Sequence, residues 1–359
     1  MLSIILKKIG YALLTLYGVA TVIFLLFSVL PGDPAQMMLG DNQSEAQVKQ
    51  VQKKYGFDKS LPVQYIYYLN DLSPISIHLK RPNHYTNIES GKYTGISILN
   101  LRRYTILLKF PYLRESFQQN GLSVAAVIGK TLPNTAILAL SAICFALLFG
   151  IILGIISAIH HNTFLDRMIQ IFSTFGMSLP SFFSAILFAW IFAFVLRDIT
   201  GLNMTGNLYE LDDYGEQRQL VLKNLILPAI VLGIRPLAVV TQLMRNALLE
   251  ELAKDYIRTA KAKGLSAFKI IYKHALRNAL NPVITAISGW FASMLAGAVF
   301  VEYIFGWNGL GKEIVNALET LDLPIIMGAV LVIALMFILI NIFVDIIYAW
   351  LDPRVRYLS

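Results

Sequence analysis

The sequence predicts an all-α, polytopic membrane protein with six transmembrane helices and a large extracytoplasmic loop between the first and second. Three observations carry that prediction. The chain is 56% hydrophobic and only 14% charged, whereas about a quarter of the residues are charged in an ordinary soluble globule. Its apolar residues gather into unbroken runs of about 20 or more, the length that crosses a hydrocarbon core of about 30 Å. Between those runs, Lys and Arg concentrate in short loops on one side of the implied topology.

The runs are Ile9–Leu30, Leu132–Ile159, Met168–Leu196, Leu225–Leu243, Pro282–Val301 and Ile325–Trp350. They are apolar all round, as lipid- or bundle-buried helices are. Lys7 and Lys8 before the first run resemble the start of a signal peptide, but Ile9–Leu30 is too long for its apolar core. Pro31-Gly32-Asp33-Pro34 follows instead of a small-residue cleavage site, so the first run reads as a retained span.

Six spans put both ends on one side. With those ends inside, the cytoplasmic segments hold Lys7, Lys8, Arg167, the Arg245–Arg277 loop, Arg354 and Arg356. That loop alone adds Lys254, Arg258, Lys261, Lys263, Lys269 and Lys273. The outer loop between spans three and four offsets Arg197, Arg218 and Lys223 with five acidic residues, and the next outer loop holds only Lys312. Loops beyond about 60 residues obey the charge rule poorly, so the basic Pro31–Thr131 segment does not overturn this orientation. The organisation is then residues 1–30 as N-terminus and first span, 31–131 as the extracytoplasmic region, and 132–359 as the core with a cytoplasmic loop at 245–280.

The net charge of +8 reads as topology and lipid attraction rather than nucleic-acid binding. Cys144 is the single cysteine, which excludes a disulfide framework within the chain. The extracytoplasmic segment opens with a helix-compatible stretch, Ser44–Lys54. Its aromatics (Tyr65, Tyr67, Tyr68, Tyr85, Tyr93, Tyr104, Phe110, Tyr112) supply a small core, sit at the headgroup level or form a docking surface.

In the Arg245–Leu280 loop, Leu249, Leu252, Tyr256 and Ala260 recur at helical spacing. Gly264 breaks the pattern, and Phe268, Ile271 and Ala275 start a second stripe. Two short helices meeting at a glycine make either a knuckle for a partner protein or an amphipathic pair on an anionic membrane. The pattern alone leaves both open.

Gly306-Trp-Asn-Gly-Leu-Gly-Lys312-Glu313 imitates a phosphate-binding loop. It has Glu where such a loop needs Ser or Thr, and it follows a span rather than a strand, so a glycine-rich turn before an Ile314–Leu318 helix is expected. Arg235-Pro236 falls near the middle of span four, where charge is expensive and usually faces a wet cavity or a bundle interior. Arg235 is a pathway candidate for substrate carbonyls or a carboxylate; a helix end at Pro236 or a neighbouring partner is the plainer alternative. Asn341 and Asp345 read as a packing pair, Gly150 and Gly154 as a small-residue helix contact, and His160, His161, Asp166 and Arg167 as a solvated turn. No nucleophile–base set, zinc spacing or paired carboxylate is present, which points away from an enzyme.

Tyr256-Ile-Arg-Thr-Ala-Lys-Ala-Lys-Gly-Leu265 with His274-Ala-Leu-Arg277 resembles the cytoplasmic loop of peptide-type ABC importer permeases. Ala260, Gly264 and Leu276 fall on that family's alanine, glycine and leucine, while Arg258, His274 and Arg277 resemble its dipeptide/oligopeptide branch. Pro31–Pro34, Leu132–Thr135, Ser178–Ser181, Val301–Gly306 and Asp352–Arg354 resemble that branch in order; the Ser73–Gln119 stretch looks longer than usual. The resemblance implies a type I ABC importer permease fold. It also implies a second homologous permease, two cytoplasmic ABC ATPases and an extracytoplasmic solute-binding protein. ATP is then bound by the ATPases, with no cofactor in this chain. Tyr256, Ala260, Lys263, Gly264 and Leu265 become coupling residues whose helix enters a groove of the ATPase. Nickel and antimicrobial peptides are cargoes of the same branch, and a secondary transporter is the rival from another class.

Overall fold

A computed structural model describes residues 2–29, 33–39, 44–81, 84–88, 92–119, 121–212 and 214–351. Pro31, Gly32, the Asp352–Arg354 motif and the side chain of Asp345 lie outside the described residues. The chain divides into two compact units: Met1–Lys130 with Ile314–Leu335, and Thr131–Glu313 with Met336–Ser359.

The first unit begins with α1 (Leu2–Val29), α2 (Pro34–Leu39), α3 (Glu45–Tyr55) and α4 (Leu61–Leu72). The polar stretch expected from Ser44 is α3. The Ser44 hydroxyl and the Gln47 side chain cap each other's backbone N–H, and Gly56 ends the helix in the left-handed region. Phe24 of α1 packs on Tyr65 and Tyr68 of α4 with ring centroids 5.1 and 5.5 Å apart.

Within the expected helical protein the long segment also builds a sheet. Strands β1 (Ile75–Leu79), β2 (Gly95–Asn100) and β3 (Tyr104–Lys109) run antiparallel in the order β1–β3–β2, with Ile77 opposite Ile106. Its alternation is inverted. Ser76, His78, Thr105 and Lys109 point inward, whereas Ile75, Ile77, Ile96 and Leu108 are exposed.

The polar interior centres on Asp71, which is fully buried. Its carboxylate accepts from the Tyr85 hydroxyl (2.7 Å), the Tyr93 hydroxyl (3.0 Å) and Arg114 Nε (3.0 Å). Its main-chain carbonyl accepts from Lys109 Nζ and from the Tyr112 N–H. Tyr68, Tyr85 and Tyr93 are therefore core residues, while Phe110 and Tyr104 are exposed.

The second unit takes up most of α5 (Val124–Ile159), then α6 (Phe164–Ser178), α7 (Ser181–Phe188), a π-helical stretch at Ala189–Val195 and α8 (Arg197–Thr200). A hairpin of β4 (Tyr209–Leu211) and β5 (Arg218–Leu220) leads to α9 (Lys223–Leu252). There follow α10 (Asp255–Ala262), the single turn α11 (Ala267–Lys269), a second π-helical stretch at Ile270–Ala275, α12 (Leu276–Gly297) and α13 (Val299–Phe305). Helices α14 (Leu310–Glu319) and α15 (Leu323–Leu351) each carry residues of both units.

Among the described residues, four helices are long and apolar enough to cross a membrane: Lys8–Ser28, Val124–Ile159, Lys223–Leu252 and Leu323–Val344. The expected third and fifth spans are bent pairs rather than single rods. One turns by 110° between Ser178 and Ser181, the other by 57° between Leu295 and Val299. At the first bend, Pro180 holds Leu179 in an extended conformation, as the residue before proline prefers. Six spans result if each bent pair crosses once.

Gly150 and Gly154 are a helix contact as expected. A Cβ on Gly150 would sit 2.9 Å from the Leu237 carbonyl, and one on Gly154 2.7 Å from that of Thr241, so α5 and α9 meet backbone to backbone. The solvated turn expected at His160–Arg167 holds for the exposed His160, His161 and Arg167 and is corrected at Asp166. Asp166 is buried and takes Arg245 Nε and Nη2, each at 2.8 Å. Seventy-nine residues separate the two, so no local pattern announces the pair.

Candidate functional site

The chain after α9 is built as two helices joined at a glycine. Helix α9 ends at Leu252, and α10 starts three residues later. Gly264 has φ +75°. Its N–H bonds the Lys261 carbonyl and the Leu265 N–H bonds that of Ala260 at 3.3 Å, the paired bonds of a Schellman cap. The Ala260, Gly264, Leu265 spacing is thus a helix-stop device. Ala260 supplies the last-turn carbonyl, Gly264 the left-handed turn, and Leu265 the apolar contact that folds back on the helix.

Ile257 and Ala260 are buried against Met244, Leu248, Ile270 and Ala275. Ala260 therefore packs on this chain's own helices, and its small size lets α10 sit close to them. Lys263 and Gly264 are exposed and Leu265 is half-buried. Tyr256 lies at the edge of the helix, where its hydroxyl donates to Glu251 Oε2. Asn278 of α12 bonds both Glu251 (3.4 Å) and the Tyr256 hydroxyl (3.2 Å), and Lys254 Nζ reaches Glu251 Oε1 at 2.5 Å. Burial and the neighbouring carboxylate raise the Tyr256 phenol above its usual range, so it stays a donor. This latch joins α9, α10 and α12, and periodicity gave no hint of Glu251 or Asn278.

The expected second stripe is corrected at Phe268, which is 78% exposed; Ala275 is buried and Ile271 half-buried as expected, with Ile270 buried beside them. The π-helical stretch resets the helical phase, so a fixed-period reading fails there. Phe268 instead stacks on Tyr272 at 5.9 Å as an exposed aromatic pair beside the lysines.

Arg235 lies inside the uninterrupted α9, which runs through both Pro228 and Pro236. It is exposed, with no hydrogen-bond or ion-pair partner among the described residues. It lines a cavity of about 190 Å³ with Ser181 and Ser184 of α7 and Trp290 and Ser293 of α12. A charge at the centre of a spanning helix costs about 2.5–3.5 kcal/mol on insertion scales, so such a side chain keeps to a polar surface.

At the Gly306–Lys312 turn, Gly306 ends α13 at φ +67°. The Glu302 carboxylate accepts from the Gly311 N–H (2.6 Å) and the Lys312 N–H (3.1 Å). The N–H groups a phosphate would use are held by the chain's own carboxyl group. Among the described residues, no group of three or more His, Cys, Asp or Glu is arranged to hold a metal ion.

A family model described as binding-protein-dependent transport system inner membrane component matches residues 150–357, and its N-terminal counterpart matches residues 1–80. The chain belongs to this family of permeases. The family match covers the whole α9–α12 region and the Arg235 cavity. The di/tripeptide transport system permease protein DppB of Pseudomonas aeruginosa is 33% identical over 373 residues, spanning 99% of each chain. The dipeptide transport system permease protein DppB of Haemophilus influenzae is 34% identical over 373 residues, 99% of this chain and all of that one. A solved structure of the MetNI methionine ABC transporter shares the fold, with a TM-score of 0.50 at 16% identity, covering 64% of this chain and 97% of that chain. As a permease of this family with several apolar helices, the chain is a multi-pass inner-membrane protein of an ABC transporter, a class of transport component rather than of enzyme.

Proposed function

We propose that this chain forms half of the translocation pathway of an ABC importer for di- or oligopeptides. Separate ATPase subunits drive it, and a solute-binding protein delivers the cargo. The observation that carries the reading is α10: a short helix stopped by Gly264 and latched to α9 and α12 through Glu251, beside exposed lysines and the Phe268–Tyr272 pair. A partner that pushes on α10 moves the two helices that carry Arg235 and Trp290. Tyr256, Ala260, Lys263, Gly264 and Leu265 are the coupling residues, Ala260 and Leu265 by seating the helix and Lys263 by charge. An exposed tyrosine such as Tyr272 is a common anchor of such an interface.

The peptide cargo follows from the full-length similarity to dipeptide and di/tripeptide permeases. The assembly is completed by a second homologous permease and two ATPases, which bind the ATP, and both termini of this chain are cytoplasmic. The chain is organised as a first span (1–30), an extracytoplasmic region (31–131) and a permease core with spans two to six (132–359), with no catalysis of its own. Reconstitution with its candidate ATPases and binding protein tests this. Dipeptide uptake is expected to require ATP. Uptake driven by a proton gradient without the ATPases would overturn the proposal.

A further inference from the structure

Resting on the peptide-import reading, we infer that the Arg235 cavity is a specificity site for the C-terminal carboxylate of the peptide cargo. The cavity gathers a cation, hydroxyls and an aromatic wall from three different helices. Arg235 comes from α9, Ser181 and Ser184 from α7, and Trp290 and Ser293 from α12. Among its described lining residues Arg235 alone is charged. A guanidinium offers a planar fork of donors that fits a carboxylate in two-point contact.

The hydroxyls of Ser181, Ser184 and Ser293 line the same cavity, and a hydroxyl both donates and accepts. A peptide carries its last amide N–H beside the carboxylate, within reach of such groups. Trp290 and Met294 give the terminal side chain an apolar surface without selecting one residue type. The same positive charge disfavours a free metal cation as cargo.

Arg235 is twelve residues beyond Lys223, the first residue of α9, or about 18 Å along the helix. That depth is beyond the headgroup region of a bilayer whose hydrocarbon core is about 30 Å thick. An anion reaching it arrives by the aqueous pathway and not as a lipid headgroup.

The test uses the complete complex, with its ATPases, in phosphatidylcholine nanodiscs, titrated with Ala-Ala and with Ala-Ala amide while Trp fluorescence is followed. Ala-Ala is expected to bind about tenfold or more tightly than the amide, the size of one charge-assisted interaction. Arg235→Gln is expected to abolish that preference, Arg235→Lys to retain part of it, and Trp290→Phe to remove most of the signal. Equal binding of acid and amide by the parent would overturn the inference. So would a preference that survives Arg235→Gln, a signal unchanged by Trp290→Phe, or displacement of Ala-Ala by phosphatidylglycerol added to the nanodisc. ATP-driven uptake of Ala-Ala by the parent complex separately tests the import reading. Uptake without an acid preference sinks the carboxylate site alone, whereas an acid preference without ATP-driven uptake sinks only the import reading.

Discussion

The Asp71 cluster and the Glu251 latch both hold elements together through one carboxylate, yet they are built for opposite ends. Asp71 is fully buried and receives two phenols and a guanidinium. Loosening any of them strands a charge away from water, which the fold resists strongly. Glu251 is itself buried, at 8% exposed, but its partners Lys254 and Tyr256 reach solvent, at 45% and 38% exposed. Water replaces those contacts readily, so the latch can open and close at small cost. The polar core around Asp71 is suited to keeping a shape, and the latch to passing a movement on.

Removing one partner from each site measures that difference. Asp71→Ala should destabilise its unit by about 3–5 kcal/mol, the usual penalty for breaking a buried ion pair. Thermal unfolding of the purified complex, or proteolysis of the 75–109 region, reads this out. An effect under about 1 kcal/mol, the range of exposed pairs, would erase the contrast. Glu251→Ala should lose about 0.5–1.5 kcal/mol of local stability, because Tyr256 and Asn278 exchange their acceptor for water. Faster amide hydrogen exchange in α10, with the global melting temperature nearly unchanged, is the expected signature.

Gly264→Ala should cost about 1 kcal/mol. A Cβ there meets nothing within 4 Å, so strain at φ +75° is the whole effect. Gly264→Asn, which tolerates the left-handed region better, should recover part of the loss.

The smallest effect is in pH. Burial, with the nearby Lys109 charge, holds buried His78 below its ordinary value of 6.5, against a hydrogen bond to the Thr86 carbonyl. His84 is shifted the same way by burial. The unfolded chain then binds protons that the folded one refuses, so stability is greatest above pH 6.5 and declines as pH falls towards the folded values. The melting temperature should drop between pH 7.5 and pH 5, and His78→Gln should flatten that dependence. A melting temperature that rises on acidification would show the sign to be wrong.

How much of this was legible varies with the range of the interaction. The apolar runs, the α3 stretch and the Gly264 break are local, and each lay where its residues indicated. The bend at Pro180 had a local signal, since proline and its preceding residue both oppose a continuous helix, but an unbroken apolar run concealed it. The π-helical stretch at Ile270–Ala275 turned Phe268 outward without changing composition. Asp71, Asp166 and Glu251 were not legible as fastening points. Their partners lie up to 43, 79 and 27 residues away, and only folding brings them together. For the candidate site, the loop and Arg235 were readable, whereas the latch and the serine-lined cavity required the tertiary structure.

Ala260→Trp bears most directly on the central claim, that the seating of α10 on α9 and α12 transmits the work of the ATPases. Ala260 is 7% exposed against those helices, so the larger ring lifts α10 from its seat. The decisive quantity is the number of peptides imported per ATP hydrolysed by the reconstituted complex. A fall of that ratio to a small fraction of the parent value, with ATP hydrolysis continuing, is predicted. An unchanged ratio would contradict the claim.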